Sequence, residues 1–300
     1  MEQRSPGSAA FTLINPHNGH LAFKIFSFED NNHFDHVQRL NYYSAILVTD
    51  GEGWLHADFS NYSFSAGSLM FFAPYQPFLL QTPGKINGVA LHFHPDFFCI
   101  HEHQKEVACH GVLFNNIYQS PILSLSPAEK ENCLSTIDQM KAEVLDHGLA
   151  QHELLVAHLK IFLIKATRLR HDQTVELSEG AGDNRNTHIL RGLKDAIENH
   201  YRTKHTASDY SALLNISPRS LARITKTYFN KTLTDLISER IVIEAKRELY
   251  MTSKTVKEIA YLLGFEDEYY FSRFFKINAD VSPQLFRETV GFARQESSSN

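Results

Sequence analysis

The chain is poor in cysteine and tryptophan and has no long apolar run. Its 300 residues include one tryptophan and three cysteines, Cys99, Cys109 and Cys133, which are too few and too irregularly spaced for a disulfide framework. No stretch approaches the roughly 18 consecutive apolar residues of a membrane-spanning helix, and the N-terminus lacks the apolar run of a signal peptide. We therefore expect a cytoplasmic protein with reduced thiols and no membrane partner.

The sequence also lacks the short motifs of the common catalytic and nucleotide sites. It contains no Gly-x-Ser-x-Gly, no phosphate-binding loop and no dinucleotide-binding fingerprint. These absences argue against an enzyme of those classes, and we expect no cofactor.

The net charge of −5 averages two unlike segments. Residues 188–294 carry 17 Lys and Arg against 13 Asp and Glu, whereas residues 1–187 carry 12 against 20. A basic segment behind an acidic one indicates two separate functions. Residues 176–187 contain two glycines and almost no large apolar residue, which is typical of a linker. We therefore predict an N-terminal domain at 1–175 and a C-terminal domain at 188–294.

The N-terminal segment begins with strand-like sequence. Between residues 20 and 120, short β-branched and aromatic runs such as Tyr42–Thr49 are broken by turn signals such as Asp50–Gly53. Strands at this spacing predict a small sandwich or barrel. The aromatic residues of these runs form either the barrel core, which is the commoner role, or an apolar ligand pocket; they are Tyr42, Trp54, Phe64, Phe72 and Phe78.

From Ser126 the apolar spacing becomes helical. Ser126 is a predicted N-cap, and the pattern predicts two amphipathic helices over 126–170, the second ending near Arg170. The two helices either pack on their own domain or pair two subunits as a homodimer. In the second case the stripe Leu155, Leu159 and Phe162 would form the interface.

The C-terminal segment contains the same pattern twice: a helix, a tight turn and a second helix. In the first copy, Thr206–Leu214 is followed by a tight turn and by a helix that begins with Ser217 and Pro218. In the second, a capping box at Thr255–Glu258 opens a helix that Gly264 ends, and Asp267 caps the next helix. Each copy has the order of a helix-turn-helix unit.

A predicted helix from about Thr234 to Met251 joins the two copies. At 1.5 Å per residue it is about 27 Å long. This length is close to the roughly 34 Å that separates successive major-groove segments on one face of DNA.

Residues Thr255–Arg287 resemble the C-terminal signature of AraC/XylS-type transcription regulators. They contain V-x-E-I-A-x-x-x-G-F, then Y-F-S-R-x-F-K, then S-P-x-x-F-R, and the upstream LLNISPRSLARITK is similar to the first helix-turn-helix of the family. More weakly, the alternation of strand-like and turn-like segments in DGEGWLHADFSNYSFSAGSLMFFAPYQPF resembles that of the cupin-like sensor barrel of many members. Two departures are Asp280, where the family usually has Gly, and Ser211, where a small Ala is usual.

The resemblance implies the fold class and the partners. It implies an α+β multidomain protein with an N-terminal cupin-like β-barrel and helical pair, and a C-terminal all-α domain with two helix-turn-helix units. The implied function is a sequence-specific transcription regulator, an activator in the cytoplasm. Its implied partners are double-stranded DNA, a small-molecule effector and RNA polymerase.

Exposed polar residues of the two recognition helices are the predicted DNA contacts. Arg pairs with guanine in a bidentate manner, and Lys near a helix end meets phosphate. On spacing alone, a solvated charged face is the favoured role of Arg219, Arg223 and Lys226. The helix-turn-helix context favours DNA, and the resemblance favours Arg273 most. The full predicted set is Arg219, Ser220, Arg223, Lys226, Glu268, Tyr269, Ser272, Arg273 and Lys276.

A group of histidines and cysteines is a weaker candidate for zinc. A His-x-His pair on a strand with Cys nearby has suitable donors, and the group comprises His92, His94, Cys99, His101, His103, Cys109 and His110. Metal-dependent cupins take a further ligand where this chain has Pro77–Phe78, so we predict no barrel metal site. Three alternatives stay open: a metal-responsive regulator, a cupin enzyme fused to a DNA-binding domain, and a constitutive regulator whose barrel binds nothing.

Overall fold

The computed structural model describes residues 10–15, 19–58, 60–108, 111–146, 148–180 and 185–290. They form two compact units: the first contains residues up to 57, 61–116 and 120–172, and the second contains the others. The first unit holds the strands and the second is helical, so the predicted α+β class is confirmed.

Short runs of β-branched and aromatic residues form the strands of the first unit. The strands are β1 (Phe11–Ile14), β2 (Leu21–Phe28), β3 (Tyr43–Asp50), β4 (Glu52–Ala57), β5 (Ser60–Ser65), β6 (Ser68–Phe72), β7 (Phe78–Gln81), β8 (Asn87–Phe93) and β9 (Ile122–Ser124). They form one sheet in the order β1-β2-β8-β3-β6-β9 and a second in the order β5-β4-β7. The described strands thus form two sheets, and the expected closed cupin-like barrel is not seen among them.

Both faces of the larger sheet are buried, which explains the two sheets. On β3, Ala45 and Leu47 belong to a core shared with the helical pair, whereas Ile46 and Val48 belong to a core shared with the smaller sheet. Residues that alternate along a strand point to opposite faces. Because both sets are apolar, the sheet packs helices on one face and strands on the other.

The helices begin where the capping residues predict. Helices of the first unit are α1 (Gln104–Val107), α2 (Pro127–Leu145) and α3 (Gln151–Gly180, which runs into the second unit), and those of the second are α4 (Arg185–His200), α5 (Ala207–Leu214), α6 (Pro218–Phe229), α7 (Leu233–Met251), α8 (Val256–Leu262), α9 (Glu268–Ala279) and α10 (Pro283–Val290). At α2, Ser126 and Glu129 form a capping box, which confirms the predicted N-terminus.

Helix α3 is longer than the sequence pattern predicts. The predicted end near Arg170 is wrong, because the helix continues to Gly180. No proline or glycine interrupts 171–179, and so nothing in that segment stops the helix before Gly180. Residues 176–180 and 185–187 of the predicted linker are therefore helical, while 181–184 lie outside the described residues.

The stripe proposed for subunit pairing is part of the core of the first unit. Leu155, Leu159 and Phe162 are each at most 2% exposed and pack with residues of the larger sheet. They face their own unit, because the sheet offers them an apolar surface.

Candidate nucleic-acid interface

A tight turn joins α5 to α6. Asn215 ends α5 in the left-handed conformation with φ 52°, and the Ser217 hydroxyl accepts a hydrogen bond from the Ser220 backbone N–H at 3.3 Å. Asn tolerates this backbone conformation because its short side chain bonds locally. Leu221 and Ile224 are buried, and they fix which face of α6 points outward.

The outward face of α6 carries the predicted cations. Arg219 and Arg223 are exposed, and no carboxylate of the described residues lies within ion-pair distance of either. Lys226 is exposed too, but its Nζ donates to the Asn230 carbonyl oxygen at 3.2 Å and so caps the end of α6. The Ser220 hydroxyl accepts from Ser217 at 3.0 Å, and thus belongs to the N-terminal cap.

A second tight turn joins α8 to α9. The Phe265 N–H donates to the Ala260 carbonyl at 2.9 Å and the Gly264 N–H to that of Tyr261 at 3.1 Å, the paired bonds of a Schellman motif. Gly264 has φ +81°, and a Cβ there would overlap the Arg202 carbonyl oxygen. The predicted stop at Gly264 is confirmed, and only glycine fits without rearrangement.

Asp267 caps α9, as predicted. Its two carboxylate oxygens accept from the backbone N–H groups of Tyr269 at 3.1 Å and Tyr270 at 3.0 Å. A carboxylate that satisfies a helix N-terminus is partly neutralised by the helix dipole. Three acids, Glu266, Asp267 and Glu268, lie at this end of α9. Of these, Asp267 therefore repels a phosphate backbone less than its formal charge implies.

The outward face of α9 holds the other predicted contacts. Tyr269 is 78% exposed, Arg273 and Lys276 are exposed, and Glu268 and Ser272 are half-buried. Phe271 and Phe275 are fully buried, as expected for core.

Phe274 of α9 is half-buried. It lines a cleft of about 530 Å³ between α7 and α9, together with Ile241, Tyr270 and Arg273. Sequence reasoning missed Tyr270, which is 58% exposed. Tyr270 lies three residues before Arg273 and four before Phe274, and so on the same face of α9. This spacing is the signal in the sequence that identifies Tyr270 as a neighbour of Arg273.

Helix α7 connects the two helix pairs and is tied to its neighbours by ion pairs. The Glu244 carboxylate is 6% exposed and lies 2.8 Å from Arg202, 2.7 Å from Arg247 and 3.3 Å from Arg240. Burial alone would raise the pKa of Glu244, but the hydrogen bonds and charges of these arginines lower it to about 2. Glu244 is thus ionised at neutral pH and holds α7 to the segment after α4.

Arg287, the last residue of the signature, has a structural role. Its guanidinium donates to the carbonyl oxygens of Leu249 at 3.1 Å and Lys254 at 2.6 Å. These bonds fix the end of α7 and the start of the α8/α9 pair.

The aromatic residues proposed for a ligand pocket do not lie together around a cavity. Phe64, Phe72 and Phe78 are buried in the core between the two sheets, and the rings of Phe72 and Phe78 stack with centroids 3.8 Å apart. Tyr42 is half-buried and lies against His92, while Trp54 is 55% exposed. This placement matches barrel core, the commoner of the two roles, for the three phenylalanines.

The histidines proposed for a metal are engaged within the first unit. His92 is buried with its Nδ1 2.8 Å from the Ser44 hydroxyl, and desolvation and the nearby Lys24 and His33 lower its pKa to about 3. His94 Nδ1 accepts from the Asp96 N–H at 3.2 Å.

The remaining members of the group do not complete a metal site in the described residues. The His103 ring stacks on Phe98 and lies 3.0 Å from Glu106; Cys99 is buried and His101 is half-buried. Cys109 and His110 lie outside the described residues. Within the described ranges, no three His, Cys, Asp or Glu side chains are arranged to hold a metal ion.

Comparison with known proteins identifies the helical unit. A family model described as a helix-turn-helix domain matches residues 210–289, from α5 to α10. Residues 210–289 are an AraC-type helix-turn-helix domain. The AraC-type domain thus contains both helix pairs and all the predicted DNA contacts.

The relatives of the chain are transcription regulators and not enzymes. The raffinose operon regulatory protein RafR of Pediococcus pentosaceus is 30% identical over 95 residues, which are 32% of this chain and 34% of RafR. The transcriptional activator RhaR of Cronobacter sakazakii is 24% identical over 253 residues, 82% of this chain and 84% of RhaR.

Solved structures of other proteins also match the helical part of the chain. The C-terminal domain of the response regulator yesN of Fusobacterium nucleatum is 30% identical, with a TM-score of 0.31, and the match covers 32% of this chain and 93% of that domain. The matched part of the chain spans 34% of RafR and 17% of the Bacillus subtilis activator Btr, which is well under two thirds of either relative. Among the described helices, none has an apolar stretch long enough to cross a bilayer.

Proposed function

We propose that this chain is a sequence-specific, DNA-binding transcriptional activator of the cytoplasm that responds to a small molecule. The two helix pairs act as two helix-turn-helix units, with α6 and α9 as recognition helices in successive major-groove segments. The observation that carries the proposal is the exposed row of unpaired arginines on α6 within an AraC-type domain. Arginines without carboxylate partners are available to phosphates and guanine edges.

The length of α7 supports the spacing of the two recognition helices. Its 19 residues span about 28 Å, near the pitch of the duplex. In this proposal Arg219, Arg223, Tyr269 and Arg273 read bases, and Lys226 and Lys276 hold phosphates. Glu268 either accepts from a cytosine amino group or rejects other bases.

Replacement of Arg273 tests the assignment of α9. We expect Arg273→Ala to weaken binding to the selected cognate duplex by about 1–3 kcal/mol and to relax sequence preference at one position. Lys226→Ala should weaken all duplexes alike and reduce the salt slope by about one. Fluorescence anisotropy over a salt series, on sites first obtained by selection from random DNA, measures both effects.

Arg191→Ala is the matched control, because Arg191 is an exposed cation on α4, outside both recognition helices. It should leave the sequence preference unchanged. Unaltered affinity of Arg273→Ala for cognate and random DNA alike would show that α9 does not read the operator.

The N-terminal unit supplies the other proposed partners. We assign to it the effector site and, through the helical pair, a homodimer contact; an activator also contacts RNA polymerase. With Leu155 and its neighbours in the core, pairing falls to the outward row of α3, where Leu154 and Ile161 are 47% and 45% exposed.

A further inference from the structure

The first unit contains a cavity that the predicted aromatic pocket does not include. It has a volume of about 310 Å³ and lies between α2, α3 and the larger sheet. Its floor is apolar: Leu69 of β6 and Phe162 of α3 are buried, and Leu125 follows β9. A volume of this size with an apolar lining and a few polar groups is typical of small-molecule sites.

The part of the α2 wall around Cys133 is uncharged at neutral pH. Cys133 lines it, and burial raises the pKa of its thiol to about 12, with Lys165 opposing that rise only in part. The protonated thiol is a small apolar surface. The deep part of the cavity therefore favours an apolar body.

The mouth of the cavity is positively charged. Lys165 and Arg168 lie on α3 three residues apart, so they are neighbours on one helix face, and both are exposed. Within the described ranges, neither has a carboxylate at ion-pair distance. The one acid that lines the cavity, Glu129, accepts a hydrogen bond from the Ser126 backbone N–H at 2.7 Å in the capping box of α2. Two uncommitted cations against one capped carboxylate favour an anionic group.

We infer that this cavity binds a small molecule with a compact apolar body and one carboxylate group, the carboxylate lying at Lys165 and Arg168. The volume is about twice that of the roughly 150 Å³ cavity that holds benzene, which corresponds to about a dozen non-hydrogen atoms. The inference rests on the proposed function, since it names the class of effector that the regulator senses.

Three probes of one shape and different charge test the inference on the full-length protein. 4-Phenylbutyrate, 4-phenylbutan-1-ol and 4-phenylbutylamine are titrated by isothermal calorimetry. We expect the carboxylate to bind about tenfold or more tightly than the alcohol, and the amine to bind most weakly. The double variant Lys165→Gln/Arg168→Gln should bring the carboxylate and the alcohol to equal affinity.

Two further variants separate the site from the fold. Lys141→Gln is the matched control, because Lys141 is a cation of α2 that pairs with Asp138 and does not line the cavity. It should leave the carboxylate preference intact. Cys133→Leu, checked for native circular dichroism, should fill the cavity and weaken all three probes.

Equal binding of the carboxylate and the amine, or no binding of any probe at about 10 mM, overturns the inference. So does carboxylate binding that the double variant leaves unchanged. DNA binding is measured on the same protein: its persistence when the probes fail rejects the cavity alone, whereas its absence rejects the proposed function.

Discussion

Ser211 is a buried small residue of α5 whose hydroxyl has no hydrogen-bond partner among the described residues. A buried, unsatisfied hydroxyl destabilises the folded state, because it loses its bonds to water. The sequence marks this position as one where the resembling family has Ala. At the other departure, Asp280 ends α9 with φ 60°, the left-handed conformation in which glycine is the usual residue.

We expect Ser211→Ala to raise the free energy of unfolding of the helical unit by about 1–2 kcal/mol, since it removes the unsatisfied hydroxyl and leaves no cavity. Urea unfolding followed by circular dichroism measures the change. Ser135→Ala is the control at an exposed position of α2 and gives the helix-propensity part alone, about 0.5 kcal/mol. A gain no larger than in this control would mean that the Ser211 hydroxyl is satisfied.

At the scale of elements, local signals were predictable and long-range packing was not. Ser126, Ser217, Thr255 and Asp267 each cap the helix that the sequence assigns to them, because a cap depends on three or four neighbouring residues. The two-sided burial of β3 depends on residues far away in the chain. The cavity between α2 and α3 has the same origin, and no local pattern marks it.

Glu244 gives a prediction about α7. Its pKa is about 2 in the folded protein and 4.5 as the ordinary value, so the unfolded chain binds more protons between these values. The stabilisation is therefore complete above about pH 4.5 and is lost as the pH falls towards 2. We expect Glu244→Gln to lower the free energy of unfolding at pH 7 by about 2–4 kcal/mol, because three arginines lose a buried partner.

Unfolding midpoints over a pH series measure this effect. The wild-type and Glu244→Gln curves should converge below about pH 2. Glu288→Gln is the control, because it changes an exposed carboxylate of α10. It should change the free energy of unfolding by less than about 0.5 kcal/mol at any pH. A constant difference between wild type and Glu244→Gln across the series would contradict the role of the charge.

At the scale of the whole molecule, α3 has a buried row of apolar residues and an exposed one. We expect a charge to have opposite effects in the two rows. Leu155→Glu places a charge in the core of the first unit and should unfold that unit. Leu154→Glu/Ile161→Glu changes only the exposed row and should leave the unit folded while it abolishes dimers and the tighter binding of double DNA sites.

Sedimentation velocity at micromolar concentration, with circular dichroism for the fold, distinguishes the two results. Ala157→Glu, between the two exposed apolar residues, extends the test to a third outward position of α3. If the wild-type protein sediments as a monomer and binds double DNA sites no more tightly than single ones, the homodimer proposal is wrong. The helical pair then serves only to pack against the sheet.

The position of the single tryptophan has an optical consequence. Trp54 lies on β4 opposite Gln81 of β7 and is more than half exposed, so its emission comes from the strand-rich unit alone. Far-ultraviolet dichroism, in contrast, is dominated by the ten helices assigned in the described residues, seven of which, α4–α10, lie in the helical unit. An unlabelled sample thus reports the strand-rich unit through its tryptophan emission and both units through its dichroism. A dichroism change that the emission does not share therefore reports the melting of the helical unit.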